Sequence, residues 1–177
     1  MLYLSEKSSS LMRALSERVE LATQFSLTHS RLDSENYQIM NYGVGGLIDA
    51  HQDSAGYKER PEDVEKTVEA VEHGGLRTMT WMIYLTDVEA GGRTVFTGNN
   101  LAVTPERGSA LFWLNHRSDG LGDLRTFHTG CPVLLGNKWI ANKWVKWHGS
   151  MWSYTNIHTY SRILSLSRRQ ALTNHTN

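Results

Sequence analysis

The feature that most constrains this chain is a run of short apolar segments between residues 77 and 147. RTMTWMIYL (77–85) is rich in β-branched and aromatic residues and stops at Asp87 and Gly91-Gly92. RTVF (93–96), LAVTP (101–105) and SALFWLN (109–115) follow, divided by Gly, Asn and Pro. A Gly/Asp-rich loop at 118–123 leads to a strand reaching His128, then to PVLLG (132–136) and KWIANKWVKW (138–147). Upstream, YQIMNYG (37–43) reads as a further strand running into Gly43, Gly45 and Gly46. Many short strands at regular spacing after a helix predict a mainly β, α+β domain: a double-sheet jelly roll with helical support on one side.

That helix is expected over residues 9–25, where Leu11, Leu15, Val19 and Ala22 recur at helical spacing and Ser8 to Ser10 offer caps. Residues 54–76 differ in character, being charged, net acidic and bounded by Gly56 and Gly74-Gly75. Pro61 suits the first turn of a short helix, with Val64, Val68 and Val71 on one face. An insertion of this kind is expected to be a lid or mobile loop rather than core. No repeat, linker or low-complexity tract divides the chain, so residues 1–177 are expected to form one domain, with a core at about 9–147 and a divergent tail at 148–177.

Composition excludes several classes of function. Lys+Arg and Asp+Glu balance at 18 each, which argues against a nucleic-acid partner or a polybasic membrane contact. No apolar run approaches the length of a membrane span. Residues 1–10 lack a stretch long enough for a secretory signal, so the chain is read as cytosolic or as a fragment. A single cysteine, Cys131, precludes both an intrachain disulfide and a cysteine-based zinc cluster. The triplet Asn174-His175-Thr176 is an N-glycosylation sequon of a kind that arises readily by chance.

Chemistry concentrates at His51, Asp53, His128 and Lys138. Two imidazoles and one carboxylate hold Fe(II) on one face and leave the opposite positions open for substrate and O2. A lysine just beyond the second histidine supplies a charge for an anionic co-substrate, and the set reads as a 2-oxoglutarate-dependent dioxygenase. With 8 His and 18 acidic residues, roughly one His-x-Asp/Glu arises by chance, so the short motif needs its context. In a strand, residues i and i+2 share a face, which lets His51 and Asp53 reach one metal while His128 comes from a distant strand. Lys138, Ile140, Asn142, Trp144 and Lys146 likewise share one parity. Parity leaves two arrangements open: the face points inward, where a buried lysine demands an anionic partner, or outward, where Lys138 is a solvated edge charge.

The stretches NYGVGG (41–46) with HQD (51–53), TWMIYLTDVEAGGRTVF (80–96), GSALFWLN (108–115) and GDLRTFHTGCPVLLGNKWIANKW (122–144) resemble the catalytic domain of animal collagen prolyl 4-hydroxylase alpha subunits. The resemblance runs over about 9–147 and implies the double-stranded β-helix fold. By position it implies iron ligation by His51, Asp53 and His128, and binding of the distal 2-oxoglutarate carboxylate by Lys138 and Tyr42. It places Thr80 in the same pocket, and Trp144 and Lys146 on the peptide substrate. It further implies Fe(II), 2-oxoglutarate, O2 and L-ascorbate as cofactors and co-substrates. A proline-rich or collagen-like peptide hydroxylated at C4 is the implied substrate. A protein disulfide isomerase beta subunit is the implied partner, and the endoplasmic reticulum lumen the implied location.

Departures from that pattern fall on the peptide side. The family carries aromatics around the His-x-Asp, where this chain has Leu47, Ile48, Ala50, Gln52 and Ser54; Lys146 stands where histidine is common. Cys131 matches a cysteine that is disulfide-bonded in the collagen enzymes, but HGSMWSYTN replaces the segment holding its partner, so a free, buried thiol is expected. Two other readings follow: a diverged, non-catalytic binding subunit, or a hydroxylase of a non-collagen proline-rich peptide. His29, His73, His116, His148, His158 and His175 are read as structural or surface residues.

Overall fold

A computed structural model describes residues 1–25, 27, 34–54, 76–117 and 122–147. The expected helix at Pro61, the valine face of the 54–76 insertion and the 148–177 tail lie outside the described residues.

The elements run β1 (Leu2–Leu4), α1 (Ser10–Thr23), β2 (Tyr37–Tyr42), β3 (Ile48–His51), β4 (Leu76–Tyr84), β5 (Ala90–Gly91), β6 (Thr94–Phe96), β7 (Leu101–Val103), β8 (Ala110–Leu114), β9 (His128–Gly130), β10 (Val133–Leu135) and β11 (Lys138–Trp147). They form a five-stranded sheet ordered β1-β2-β11-β4-β8, a four-stranded sheet ordered β3-β9-β6-β7 and a small β10-β5 pair. All the strand pairings are antiparallel. The mainly β architecture is therefore as the strand run predicts. Among the described residues no helix is long and apolar enough to cross a membrane.

The period of two along each strand sorts side chains into two layers. On one face of the five-stranded sheet, Met79, Ile83, Ala141 and Val145 pack with Met12 and Val19 of α1, in clusters that also hold Phe25, Leu27 and Tyr37. On the other face Met82, Tyr84, Trp113 and Ile140 meet Phe96 from the four-stranded sheet. Burial of each large apolar side chain stabilises the fold by roughly 1.5–3 kcal/mol. The result is helix on sheet on sheet, with the second interlayer space holding the site.

The α1 boundaries follow their caps. The Ser9 hydroxyl accepts the Met12 N–H, and Gln24 closes the helix in the left-handed region at φ 62°. Its buried face differs from the expected leucine stripe. Met12, Ser16 and Val19 are buried, Leu15 is half-buried, and Leu11 and Ala22 face solvent. The buried face lies about one position from the leucine stripe, with Met12 and Val19 packed on the sheet and Ser16 Oγ 3.1 Å from the Tyr37 hydroxyl. Fully buried Lys143, on the helix side of β11, donates to Glu6 and to the Glu35 carbonyl and faces the Tyr37 ring.

Two further details shape the site. Gly91 has φ 78°, and a Cβ there would lie 2.3 Å from the Pro132 carbonyl oxygen, so the β5–β10 approach requires glycine. Val145 pairs with Met79 but Lys146 with Arg77, so Thr78 is an extra residue that puts a bulge near the start of β4. Cys131 is a free thiol, but half-buried rather than buried, because it follows the last residue of β9 instead of lying within it.

Candidate active site

The antiparallel register of β3 with β9 sets His51 directly opposite His128. Their rings lie 4.4 Å apart, between centroids. Asp53 falls two residues past the end of β3, in a bend, so a turn and not the strand pleat brings it alongside. His51 Nε2 is 3.5 Å and His128 Nε2 3.9 Å from Asp53 Oδ1, and the three donor atoms lie within 4.8 Å of one another.

Both rings are oriented by main-chain carbonyls. His51 Nδ1 lies 2.7 Å from the Asp49 oxygen and His128 Nδ1 2.9 Å from the Thr126 oxygen. A carbonyl only accepts, so each Nδ1 carries a proton, and each ring turns its Nε2 toward Asp53, where it can ligate a metal in its neutral form. The second carboxylate oxygen, Oδ2, accepts the Thr80 hydroxyl at 2.6 Å, which leaves Oδ1 for the histidine side. Two imidazole nitrogens and a carboxylate oxygen this close could together hold one divalent ion. The donors fit a divalent transition metal with positions left open.

Electrostatics agree with that arrangement. Burial pushes the Asp53 carboxyl up, but His51, His128, Thr80 and the Trp144 indole together hold it below the ordinary carboxylate value. The Asp53 contact raises His51, against the opposing effect of burial; burial lowers His128.

A cavity of about 280 Å³ opens from these residues between the sheets and is also lined by Tyr42, Arg77, Thr94, Lys138, Asn142 and Trp144. The 138–144 face of β11 therefore points inward. Lys138 is only 3% exposed, and its ammonium lies 3.3 Å from Thr94 Oγ1. It sits 5.8 Å from the Tyr42 ring centroid and 5.6 Å from that of Tyr84. Among the described residues no carboxylate pairs with it, and burial pushes its pKa down to about 8. Burial and the nearby Asp53 charge raise the Tyr42 phenol, which keeps it a donor.

Two expected site residues take other places. Thr80 is absent from the cavity wall: its hydroxyl donates to Asp53 and accepts from the Asn115 amide at 3.0 Å. Lys146 shares the sequence parity of Lys138 but does not line the cavity; it pairs with Glu35 at 3.8 Å. Trp144 does line the cavity, stacked under the Arg77 guanidinium at 3.8 Å.

Residues 37–146 match the sequence profile of the 2OG-Fe(II) oxygenase superfamily. The chain belongs to that superfamily. Fe(II), 2-oxoglutarate and O2 are the reactants the family implies. The oxygenase domain is 37% identical over 147 residues to prolyl 4-hydroxylase subunit alpha-1 of Gallus gallus, covering 83% of this chain and 27% of the relative. It is 46% identical over 116 residues to subunit alpha-3 of Homo sapiens, covering 66% of this chain and 20% of the relative. The chain thus spans a fifth to about a quarter of the length of these curated relatives. Among solved structures, a viral collagen prolyl hydroxylase from Paramecium Bursaria Chlorella virus-1 in its 2OG complex superposes with a TM-score of 0.60 at 22% identity, over 79% of this chain and 73% of that one. A Trichoplax adhaerens prolyl hydroxylase in complex with a hypoxia inducible factor peptide fragment superposes at 0.51 and 16% identity, over 82% and 61%. At those identities the two structures establish the shared fold.

Sequence reasoning passed over Thr94 and Arg77. Thr94 accepts from both Lys138 and the Tyr84 hydroxyl, the latter at 2.8 Å. Its position in RTVF looked like an ordinary strand residue, and only the pairing of β6 with β9 brings it to Lys138. Arg77 begins the RTMTW segment, where a flanking charge reads as solvated. Glu35 instead clasps it in two hydrogen bonds, at 2.7 and 2.9 Å, and lays it over Trp144.

Proposed function

We propose that the oxygenase domain hydroxylates peptidyl proline at C4, in collagen-like or other proline-rich peptides. The observation that carries this reading is the pairing of two convergent Nε2 atoms and a carboxylate with a buried, carboxylate-free ammonium in one cavity. The identity to prolyl 4-hydroxylase alpha subunits supports the choice of proline.

On this reading His51, Asp53 and His128 hold Fe(II). Lys138 pairs with the distal carboxylate of 2-oxoglutarate, with Tyr42 and Thr94 as hydrogen-bonding neighbours. Bound iron with 2-oxoglutarate and O2 supplies the oxidising chemistry, which inserts oxygen into a C–H bond and yields succinate and CO2. The chain's own part is positional. The Nδ1 bonds to Asp49 and Thr126 fix both rings, and Thr80 fixes the carboxylate. Trp113, Trp144, Met82 and Ile140 give the cavity apolar walls that limit water. Trp144, with Arg77 stacked on it, lies where a peptide enters. L-ascorbate as reductant of uncoupled iron, a protein disulfide isomerase partner and an endoplasmic reticulum location belong to the same proposal.

Lys146 favours a second substrate reading, a peptide other than collagen. It places a cation beside Arg77, with Glu35 shared between the two. The test is succinate release with and without (Pro-Pro-Gly)-type peptides. Peptide-coupled turnover supports the collagen-like reading, and peptide-independent turnover favours another substrate. Absence of turnover with iron bound indicates a binding subunit. His128→Ala is expected to abolish turnover, and retained activity there sinks the iron assignment.

A further inference from the structure

We infer that His116 is a positioning residue for the proposed iron site, acting through Ser54 on the segment that carries Asp53. The inference rests on the iron reading given above.

Asp53 lies beyond the last ladder pair of β3, so no sheet hydrogen bond holds it. The segment from β8 toward β9 holds it instead, at three successive residues. Gln52 donates to the Asp123 carbonyl at 3.1 Å. The Asp53 carboxylate accepts from Thr80, which accepts in turn from the Asn115 amide. Ser54 Oγ lies 3.0 Å from His116 Nε2, with Ser54 only 4% exposed. Asn115 and Asp123 are themselves tied by an N–H to carbonyl bond of 2.9 Å, and His116 pairs with Gly122 in an isolated bridge. The same connection supplies the Thr126 carbonyl that orients His128. One stretch of chain thus sets the geometry of the carboxylate and of one imidazole.

Within this clamp the Ser54–His116 bond is the contact on the far side of Asp53. Arg77 reaches the Asp53 carbonyl, the oxygen of the 53–54 peptide, at 3.3 Å, and Thr80 reaches the carboxylate, while His116 holds the Ser54 side chain beyond them. Burial pushes His116 down to about 4, so it is a neutral imidazole with one nitrogen committed to Ser54. Losing His116 leaves the Ser54 hydroxyl buried and unpaired, and losing either partner leaves the 53–54 peptide held by the 3.3 Å Arg77 contact alone, which lets Oδ1 turn away from the two Nε2 atoms. Groups that orient metal ligands typically account for 10- to 100-fold in metal affinity.

The test uses the whole 177-residue chain and Mn(II), an air-stable stand-in for Fe(II), with free ion followed by electron paramagnetic resonance. Ser54→Ala and His116→Leu are each expected to weaken Mn(II) binding about tenfold or more. The double variant should be no worse than the weaker single one, because both remove the same bond. His116→Gln, whose amide reaches Ser54, should restore most of the affinity. Should His116→Leu fail to fold, Ser54→Ala and His116→Gln decide the matter. Unchanged affinity in the variants overturns the inference even where melting temperature falls, since a merely structural contact moves only the latter. Additive losses in the double variant overturn it as well. If wild type binds Mn(II) no better than His128→Ala, the iron reading fails and takes this one with it.

Discussion

On the proposed reading, Lys138 would set both the preference for 2-oxoglutarate and a pH limit on its binding. A charge-assisted hydrogen bond in a partly desolvated pocket contributes roughly 1.5–3 kcal/mol. Lys138→Ala should raise the 2-oxoglutarate KM about 10- to 100-fold, at about 1.4 kcal/mol per tenfold, while Mn(II) affinity stays near wild type. Lys138→Arg keeps the charge on a planar, longer fork and should fall between the two. The pH dependence follows from burial, which lowers Lys138 to about 8 in the ligand-free cavity. A carboxylate partner raises it again. Below about pH 8 the ammonium is present before and after binding. Above it, binding must take up a proton, so affinity should fall by up to about tenfold per pH unit. Titration calorimetry from pH 7 to 9.5 measures this, and a flat profile would mean that Lys138 does not meet the dicarboxylate. At Asp53, Thr80→Val removes the bond to Oδ2 and should weaken Mn(II) about tenfold without moving the 2-oxoglutarate KM of metal-saturated protein.

Strand β11 carries a lysine on each face, and that explains what its sequence conceals. Lys138 and Asn142 face the cavity; Lys143 faces α1 with Ala141 and Val145. The two faces have similar polarity, so alternation reveals the period but not the direction. What decides it is remote: Glu6, before α1, reaches Lys143. The balance is testable. Glu6→Ala leaves a buried ammonium with only the Glu35 carbonyl and should cost about 3–5 kcal/mol in urea denaturation. Lys143→Met removes the charge itself and should stay within about 1 kcal/mol of wild type. Equal losses in both would show that packing, not charge, governs this position. The strands of 77–147 are legible because apolar residues and Gly or Pro breaks recur in step. The two-residue β5 and the edge strand β1 are too short to leave such a signal. A bulge has no sequence mark here, so Arg77 reaches the cavity although it shares the parity of Met79 and Ile83, which face α1. Likewise α1 is legible as a helix, whereas its buried Ser16 breaks the apolar stripe that would identify its core side.

At the scale of the whole molecule, the two sheets divide the proposed chemistry between them. His51 and His128 come from β3 and β9 of the four-stranded sheet, and Asp53 from the turn after β3. Lys138 and Tyr42 come from neighbouring strands of the five-stranded sheet. On the proposed reading a metal would engage one layer, while 2-oxoglutarate would bridge both and tie the layers together. Since the unfolded chain offers neither site, each ligand should stabilise the fold by mass action, about 2.7 kcal/mol at a hundred times its Kd. For a domain of this size that is a rise in Tm of roughly 5–10 °C. Mn(II) alone should raise the Tm of wild type and Lys138→Ala alike. Adding 2-oxoglutarate should give a further rise in wild type, little in Lys138→Ala, and little in wild type without metal, because the dicarboxylate needs both anchors. Differential scanning calorimetry of the three combinations reads this directly. A full 2-oxoglutarate shift in His128→Ala, where the metal anchor is gone, would place the dicarboxylate outside the cavity and break the link between the two layers.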